Sequence, residues 1–333
     1  MLNLDSFEIF PQHSISYAVP ENFNEADKSL FYDENFLFDI SAINQLELKH
    51  ASLSVSLVFQ KKNFLFDLTR HQKPALIDLL KSGIRLSISK KRDLNSAILG
   101  FQEWGNNYFH WMTEMLPRIV AMKYHHPLVP VVIPSNYLKY PFIVESLALL
   151  KIDFKTFDIR QTLKIDRLYA ISVTHVGRFN EGLMHFFQDK FIHDFTHSSH
   201  PERLVYITRG KARRRRVSNE DQVFELLGSR GFEKVTLEDL HLKDQVQLFQ
   251  EARVVVASHG AGLTNIMFMQ KGQTVIELKS DNNNYWCYFS LARVFGLKYF
   301  YNLSKGISHN HRDADILVDI DQLKKIVTQV INN

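Results

Sequence analysis

The feature that most constrains this chain is the alternation of short β-branched runs with helical patterns from Arg203 onward. RLVYITR reads as a strand, NEDQVFELLGSRG as a helix closed by Gly231, KVTL as a strand and KDQVQLFQEA as a helix. RVVVAS, GLTNIMFM, TVIEL, YFSLARVFG and KYFYNL continue the series. Parallel strands need a long return connection, usually a helix, so the alternation predicts an α/β unit built on a parallel sheet. The same rhythm starts near Ser96 with AILGF, a helical pattern from Asn107 to Met122, VPVVI, a helical IVESLALL and FKTFDI. A polar stretch, FIHDFTHSSHPER, separates the two series. The expectation is an N-terminal domain over 1–195, with a hairpin region at 51–68 and a Rossmann-like unit from about 96, followed by a C-terminal Rossmann-like domain over 202–306. In the closing segment, 307–333, Leu323, Ile326, Val327, Val330 and Ile331 recur at helical spacing and predict a helix that packs back on the domains.

Composition narrows the function. Forty Lys and Arg against 36 Asp and Glu leave +4, too small a surplus to support a nucleic-acid partner. The single cysteine, Cys287, excludes an intramolecular disulfide framework and a thiolate cluster within the chain, which suits a reducing compartment. Asp5 and Glu8 stand where a signal peptide would carry positive charge, and no stretch approaches the roughly 20 apolar residues of a membrane-spanning helix. The expectation is a cytoplasmic protein whose membrane contact is peripheral, at the inner face; oligomeric state is left open.

Three patterns carry chemistry. In VVVASHGAGLTN a β-branched run ends at Ser258 and His259, glycines 260 and 262 flank Ala261, and a helix begins near Leu263. Backbone N–H groups converge there at the positive end of a helix dipole, which suits a phosphate or diphosphate; the pattern also reads as a tight strand-to-helix turn. In NNYFHWMTEMLPRI, His110, Glu114 and Arg118 recur every four residues on an otherwise apolar helix. They read as a base with its orienting carboxylate or as a self-satisfied ion network, and Pro117 predicts a bend. In YITRGKARRRRVSNE the strand delivers Arg209 to the end of the sheet, ahead of a basic loop and a helix capped by Ser218 or Asn219. Its guanidinium groups suit a diphosphate, or the loop is solvated charge. Glu277 closes TVIEL where a carboxylate could meet a ribose hydroxyl; Asp313 with Asp315, Asp319 with Asp321, and His193, His197 and His200 are weaker metal-ligand patterns.

Taken in order, NNYFHWMTEMLPRI, ITR with RRVSNE, LFQEARVVVASHGAGLTN and VIEL resemble the glycosyltransferases of family 61, which include bacterial capsular-polysaccharide enzymes and plant and animal xylosyl- and N-acetylglucosaminyltransferases. The resemblance covers about Gly100 to Leu278 and leaves the N-terminal hundred residues unmatched. It implies a GT-B fold, two Rossmann-like domains with a cleft between them. It also implies inverting transfer from a nucleotide sugar, a UDP-sugar foremost, with no metal or other cofactor required. The acceptor would be a glycan or lipid-linked saccharide, in bacterial capsule or surface polysaccharide synthesis. Carried over by position, Glu114 is the base, with His110 the near alternative. Arg209, Arg216, Asn219, Glu220, His259, Gly260, Ala261, Gly262, Leu263, Thr264, Asn265 and Glu277 fall on the donor side, and Asn107, Trp111 and Arg118 on the acceptor side. Two other expectations are a non-catalytic nucleotide- or sugar-binding assembly protein and a metal-dependent hydrolase built on His110, Glu114 and the linker histidines.

Overall fold

A computed structural model of the chain describes residues 5–31, 36–54, 57–61, 63–158, 160–173, 175–195, 200–307 and 313–332. The fold is mixed α/β, with two extended sheets in two compact units. The first unit takes the chain up to His13 together with Asp39–Phe191; the second takes Ser14–Phe38 and the chain from Ile192 onward. Residues 14–38 therefore group away from the N-terminal domain in which the sequence reading put them. Aromatic packing is the reason: Phe31 stacks on Trp286 at 3.8 Å between ring centroids, and Trp286 Nε1 donates to the Leu30 carbonyl at 2.8 Å.

In the first unit the strands run in the order 63–64, 57–60, 43–54, 161–171, 90–99, 131–134 and 154–157, and strand Asp5–Phe10 also pairs with Ile43–Ser54. The last four are mutually parallel, as the helix alternation predicts, while the other pairings are antiparallel. The hairpin region turns twice: Leu53 pairs with Val58 and Ser54 with Leu57, then Gln60 pairs with Asn63. Val55 and Lys62, part of that pattern, lie outside the described residues, as does His197 of the linker.

In the second unit the strand order is 233–235, 203–207, 252–258, 274–280, 298–306 and 316–317, parallel except for the last pair. Numbered along the sheet, its five parallel strands run 2-1-3-4-5 with the antiparallel sixth at the edge, a doubly wound order other than the 3-2-1-4-5-6 of the dinucleotide-binding fold. Its topological switch point lies between Arg203–Ile207 and Ala252–Ser258, and ligands of open α/β sheets bind beyond the carboxyl ends of such strands. The C-terminal helix Ile320–Asn332 buries Leu323, Ile326 and Val327 in one cluster with Val223 and Leu227 of helix Glu220–Gly228. No helix among the described residues is long and apolar enough to cross a membrane.

Candidate active site

In the first unit, three segments meet beyond the carboxyl ends of the parallel strands Lys90–Leu99 and Gln161–Ile171. The 3-10 turn Phe66–Leu68 is stitched to both: Glu103 N–H donates to the Thr69 carbonyl and Val173 N–H to the Asp67 carbonyl, each at 2.8 Å. That stitching carries His71 to the site. The loop after Lys90–Leu99 brings Gln102 and Trp104, and the helical stretch from Tyr108 to His125 supplies the rest, starting at an Asn107 cap whose Oδ1 accepts from Phe109 N–H at 3.0 Å. Just ahead of Pro117, Trp111–Met115 forms a π-helical turn closed by Leu116 N–H on the Trp111 carbonyl. Proline cannot donate to Thr113, and a wider turn absorbs the missing bond; such turns concentrate at functional sites.

Glu114 sits on that turn and is only 2% exposed. His110 Nδ1 lies 2.7 Å from one carboxylate oxygen; His71 Nε2 at 3.0 Å and the donating Gln102 Nε2 at 2.7 Å share the other. Burial pushes this carboxyl pKa up, yet the hydrogen bonds and charge of the two imidazoles outweigh it and hold the pKa at about 2. Glu114 is therefore a fixed anion with both oxygens occupied, while the imidazoles keep some exposure. Trp104, 37% exposed, stacks on His71 at 4.6 Å and 16° and lies 5.0 Å from the His110 ring. His71 also lines a cavity of about 370 Å³ with Asp67, His175, Arg178 and Asn180. Sequence reasoning missed His71 and Trp104. Trp104 follows a strand end, which is a usable signal, but no local pattern marks His71.

Two acceptor-side assignments need correction. Arg118 is fully buried and donates to the carbonyls of Glu114 and Ile171 at 2.9 Å and to Gln102 Oε1, so its fork locks the helix to a strand end. Burial draws its guanidinium down to about 10. Trp111 is buried too, its Nε1 donating to Ser146 Oγ at 2.9 Å. Both serve the helix anchorage, and the exposed Asn107 serves as its cap.

The second unit gathers a separate set at the switch point. Arg209 follows strand Arg203–Ile207, and its guanidinium lies against Gly260, where an added Cβ would come within 1.9 Å of Nη1. Gly260 has φ 171°, ordinary extended backbone, so the glycine is required by the arginine and not by a left-handed turn. A Cβ on Gly262 would meet Leu237 at 2.9 Å. Ala261–Phe268 is a 3-10 helix with Leu263, Thr264 and Asn265 buried inside it. Burial and the like charge of Arg215 push Arg209 below the ordinary arginine range, an imbalance that a bound anion would relieve.

Beside it, His259 Nδ1 pairs with Glu277, whose other oxygen accepts from Tyr299 OH. Glu277 is completely buried, so its carboxylate faces protein where the sequence reading had a ribose. Burial lowers the His259 pKa. Asn219 bonds Val318 through both amide atoms, and Glu220 accepts from Tyr206, Thr208 and Lys234; these are braces, tying loop to C-terminal segment and helix to strand. The first acidic pair answers the basic loop, Arg214 meeting Asp313 at 2.5 Å and Arg216 meeting Asp315 at 3.3 Å, while Asp319 accepts from Gln322 N–H at the start of the C-terminal helix. His193 pairs with Asp194, and the potential metal-ligand group among the described residues is His71, His110 and Glu114, with ligand atoms within 4.8 Å of one another.

Comparison with known proteins bears on this geometry. A family model described as Glycosyltransferase 61 matches residues 108–276. The EGF domain-specific O-linked N-acetylglucosamine transferase of Drosophila melanogaster is 29% identical over 132 residues, 37% of this chain and 25% of that protein. The beta-1,2-xylosyltransferase of Arabidopsis thaliana is 33% identical over 97 residues, 25% of this chain and 18% of that protein. The chain thus matches a quarter or less of the length of these relatives.

Proposed function

Because the chain belongs to the glycosyltransferase 61 family, we propose that it is a glycosyltransferase that moves a sugar from a UDP-sugar to a glycan or lipid-linked saccharide on a GT-B fold, inverting the anomeric carbon without a resident metal. The observation that carries the reading is Glu114 held between His71 and His110 beside a cavity. The acceptor hydroxyl oxygen attacks the anomeric carbon, the bond from that carbon to the phosphate oxygen breaks, and the nucleoside diphosphate leaves with the electron pair. The hydroxyl proton passes to Nδ1 of His71, the ring nitrogen that Glu114 does not hold. Glu114 fixes the ring and stabilises the imidazolium, which revises the base assignment: a carboxyl held at about 2 and occupied on both oxygens is a poor proton acceptor. Trp104 offers a face on which an acceptor sugar can stack. Arg209 and the N–H groups opening at Gly260 neutralise the departing diphosphate. The biological setting we propose is capsule or surface polysaccharide synthesis at the inner face of a bacterial membrane.

The test is thermal shift against UDP, GDP, CMP and their sugars with and without EDTA, followed by NMR of the product anomer. Selective stabilisation by uridine nucleotides, indifferent to EDTA, and an inverted product are expected. A retained anomeric configuration overturns the mechanism. A second reading, hydrolysis at a metal on His71, His110 and Glu114, is favoured by the spacing of those ligand atoms. Stoichiometric metal in the purified protein, with loss of stability in EDTA, selects it.

A further inference from the structure

The helix Leu76–Ile88 is amphipathic twice over. The side carrying Leu79, Ser82 and Leu86 is the less exposed one, and the helix packs against strand Ile43–Ser54. On the other side Ile77, Leu80, Ile84 and Ile88 are 56%, 56%, 61% and 78% exposed. At about 100° per residue these four fall within an arc of about 80°, so they form one continuous apolar strip along the helix. Large apolar side chains cluster in this way on a surface only where something covers them.

Charge identifies the cover. Between residues 73 and 92 the sequence carries six cations, Lys73, Lys81, Arg85, Lys90, Lys91 and Arg92, against one acid, Asp78. The surplus in these twenty residues exceeds the +4 of the entire chain. Lys73, Lys81, Lys90 and Lys91 are exposed. Lys81 sits at the margin of the apolar strip, where its aliphatic stem can lie along the strip and its ammonium reach outward. An apolar strip with basic flanks fits the boundary between acyl chains and anionic headgroups.

We propose that the helix Leu76–Ile88 docks this protein on an anionic lipid surface, apolar strip down and the lysines over the headgroups. Docking is read without donor or acceptor, so its failure leaves the transfer chemistry standing, and the reverse holds as well. The experiment is co-sedimentation of the full chain with vesicles of phosphatidylcholine alone and of phosphatidylcholine containing a third phosphatidylglycerol, at low and at physiological salt. Binding to the anionic vesicles only, weakened by salt, is the expected result. Ile84→Glu lowers the bound fraction about tenfold or more, and Lys90→Glu with Lys91→Glu lowers it by a similar factor. These positions are exposed, so unchanged melting temperatures are expected for both variants, and either one alone keeps the test valid. Absence of wild-type binding to anionic vesicles, or binding indifferent to Ile84→Glu, overturns the proposal. Self-association that Ile84→Glu abolishes, without vesicle binding, overturns it in favour of a second copy of the chain.

Discussion

Each unit contains a histidine paired with a buried glutamate, and the two pairs differ in what surrounds them. Around Glu114, two imidazoles, an exposed tryptophan and a 370 Å³ cavity lie together. Around Glu277, the partners are His259 and Tyr299, both buried, and the carboxylate has no exposed surface. Identical chemistry thus yields two roles. The His71 ring reaches the larger cavity and can exchange protons with a ligand there, whereas His259 borders only a crevice of about 10 Å³ beside Arg215 and Asn283 and is placed to orient. The largest expected effect follows from this contrast. Glu114→Gln and His71→Ala should each cut turnover by about 10²- to 10⁴-fold, with nucleotide affinity retained. Full turnover in His71→Ala with loss in His110→Ala would transfer the base to the other ring.

The same carboxylate sets a pH dependence of stability. The Glu114 pKa falls from an ordinary 4.5 to about 2 in the folded protein. Its stabilising contribution, about 3 kcal/mol, is complete above pH 4.5 and disappears as pH drops toward 2. Denaturant titrations should therefore show the gap between wild type and Glu114→Gln closing across that window. A gap constant down to pH 2 would mean that the carboxylate is not held by the imidazoles.

How much of this could be read from the sequence depends on the kind of contact. The second unit was legible because parallel strands buried on both faces leave continuous β-branched runs such as RVVVAS and TVIEL. Strand Gln161–Ile171 was missed because Lys164, Asp166 and Arg167 interrupt its apolar pattern, although it is central in the first sheet. Four-residue spacing placed His110, Glu114 and Arg118 on one helix face, but spacing does not say whether that face meets solvent, ligand or protein; for Arg118 it meets protein. His71 lies 43 residues from Glu114 and arrives through loop-to-loop backbone bonds that no periodicity encodes. Gly260 was legible as a close-approach position, and the group that approaches it within the protein is Arg209, 51 residues earlier in the chain.

That packing gives a sharper test of the second unit. Gly260→Ala sets a methyl within 1.9 Å of Arg209 Nη1 and must displace the guanidinium. If Arg209 holds the diphosphate, Gly260→Ala and Arg209→Ala should each weaken UDP binding by about 10- to 100-fold, and the double variant should be no worse than either. Additive losses in calorimetry would separate the two residues. A smaller effect belongs to the second pair: Tyr299→Phe deletes one hydrogen bond to Glu277 and should cost about 1 to 3 kcal/mol in denaturant titration. It should leave the pH profile of turnover unchanged, and a displaced profile would show that the second pair also exchanges protons during turnover.

Arg216 marks the small end of the scale and separates the two kinds of arginine in the basic loop. Arg209 is held against Gly260 and donates to the Arg214 carbonyl at 3.1 Å, while Arg216 reaches out to Asp315 at 3.3 Å with more than half its side chain in solvent. An exposed pair of this kind contributes at most about 1 kcal/mol, screened by salt. The Arg216 backbone does more than its side chain: its N–H donates to Asp315 at 2.8 Å and its carbonyl accepts from Ile316 N–H at 2.8 Å, tying the loop to the C-terminal segment. Alanine keeps both backbone bonds. Arg216→Ala should therefore shift the melting temperature by a degree or two, about what 0.5 kcal/mol gives in a chain of this size, with UDP affinity unchanged. An affinity loss comparable to that of Arg209→Ala would mean that Arg216 leaves Asp315 when the donor binds, and the donor site would then extend across the whole loop.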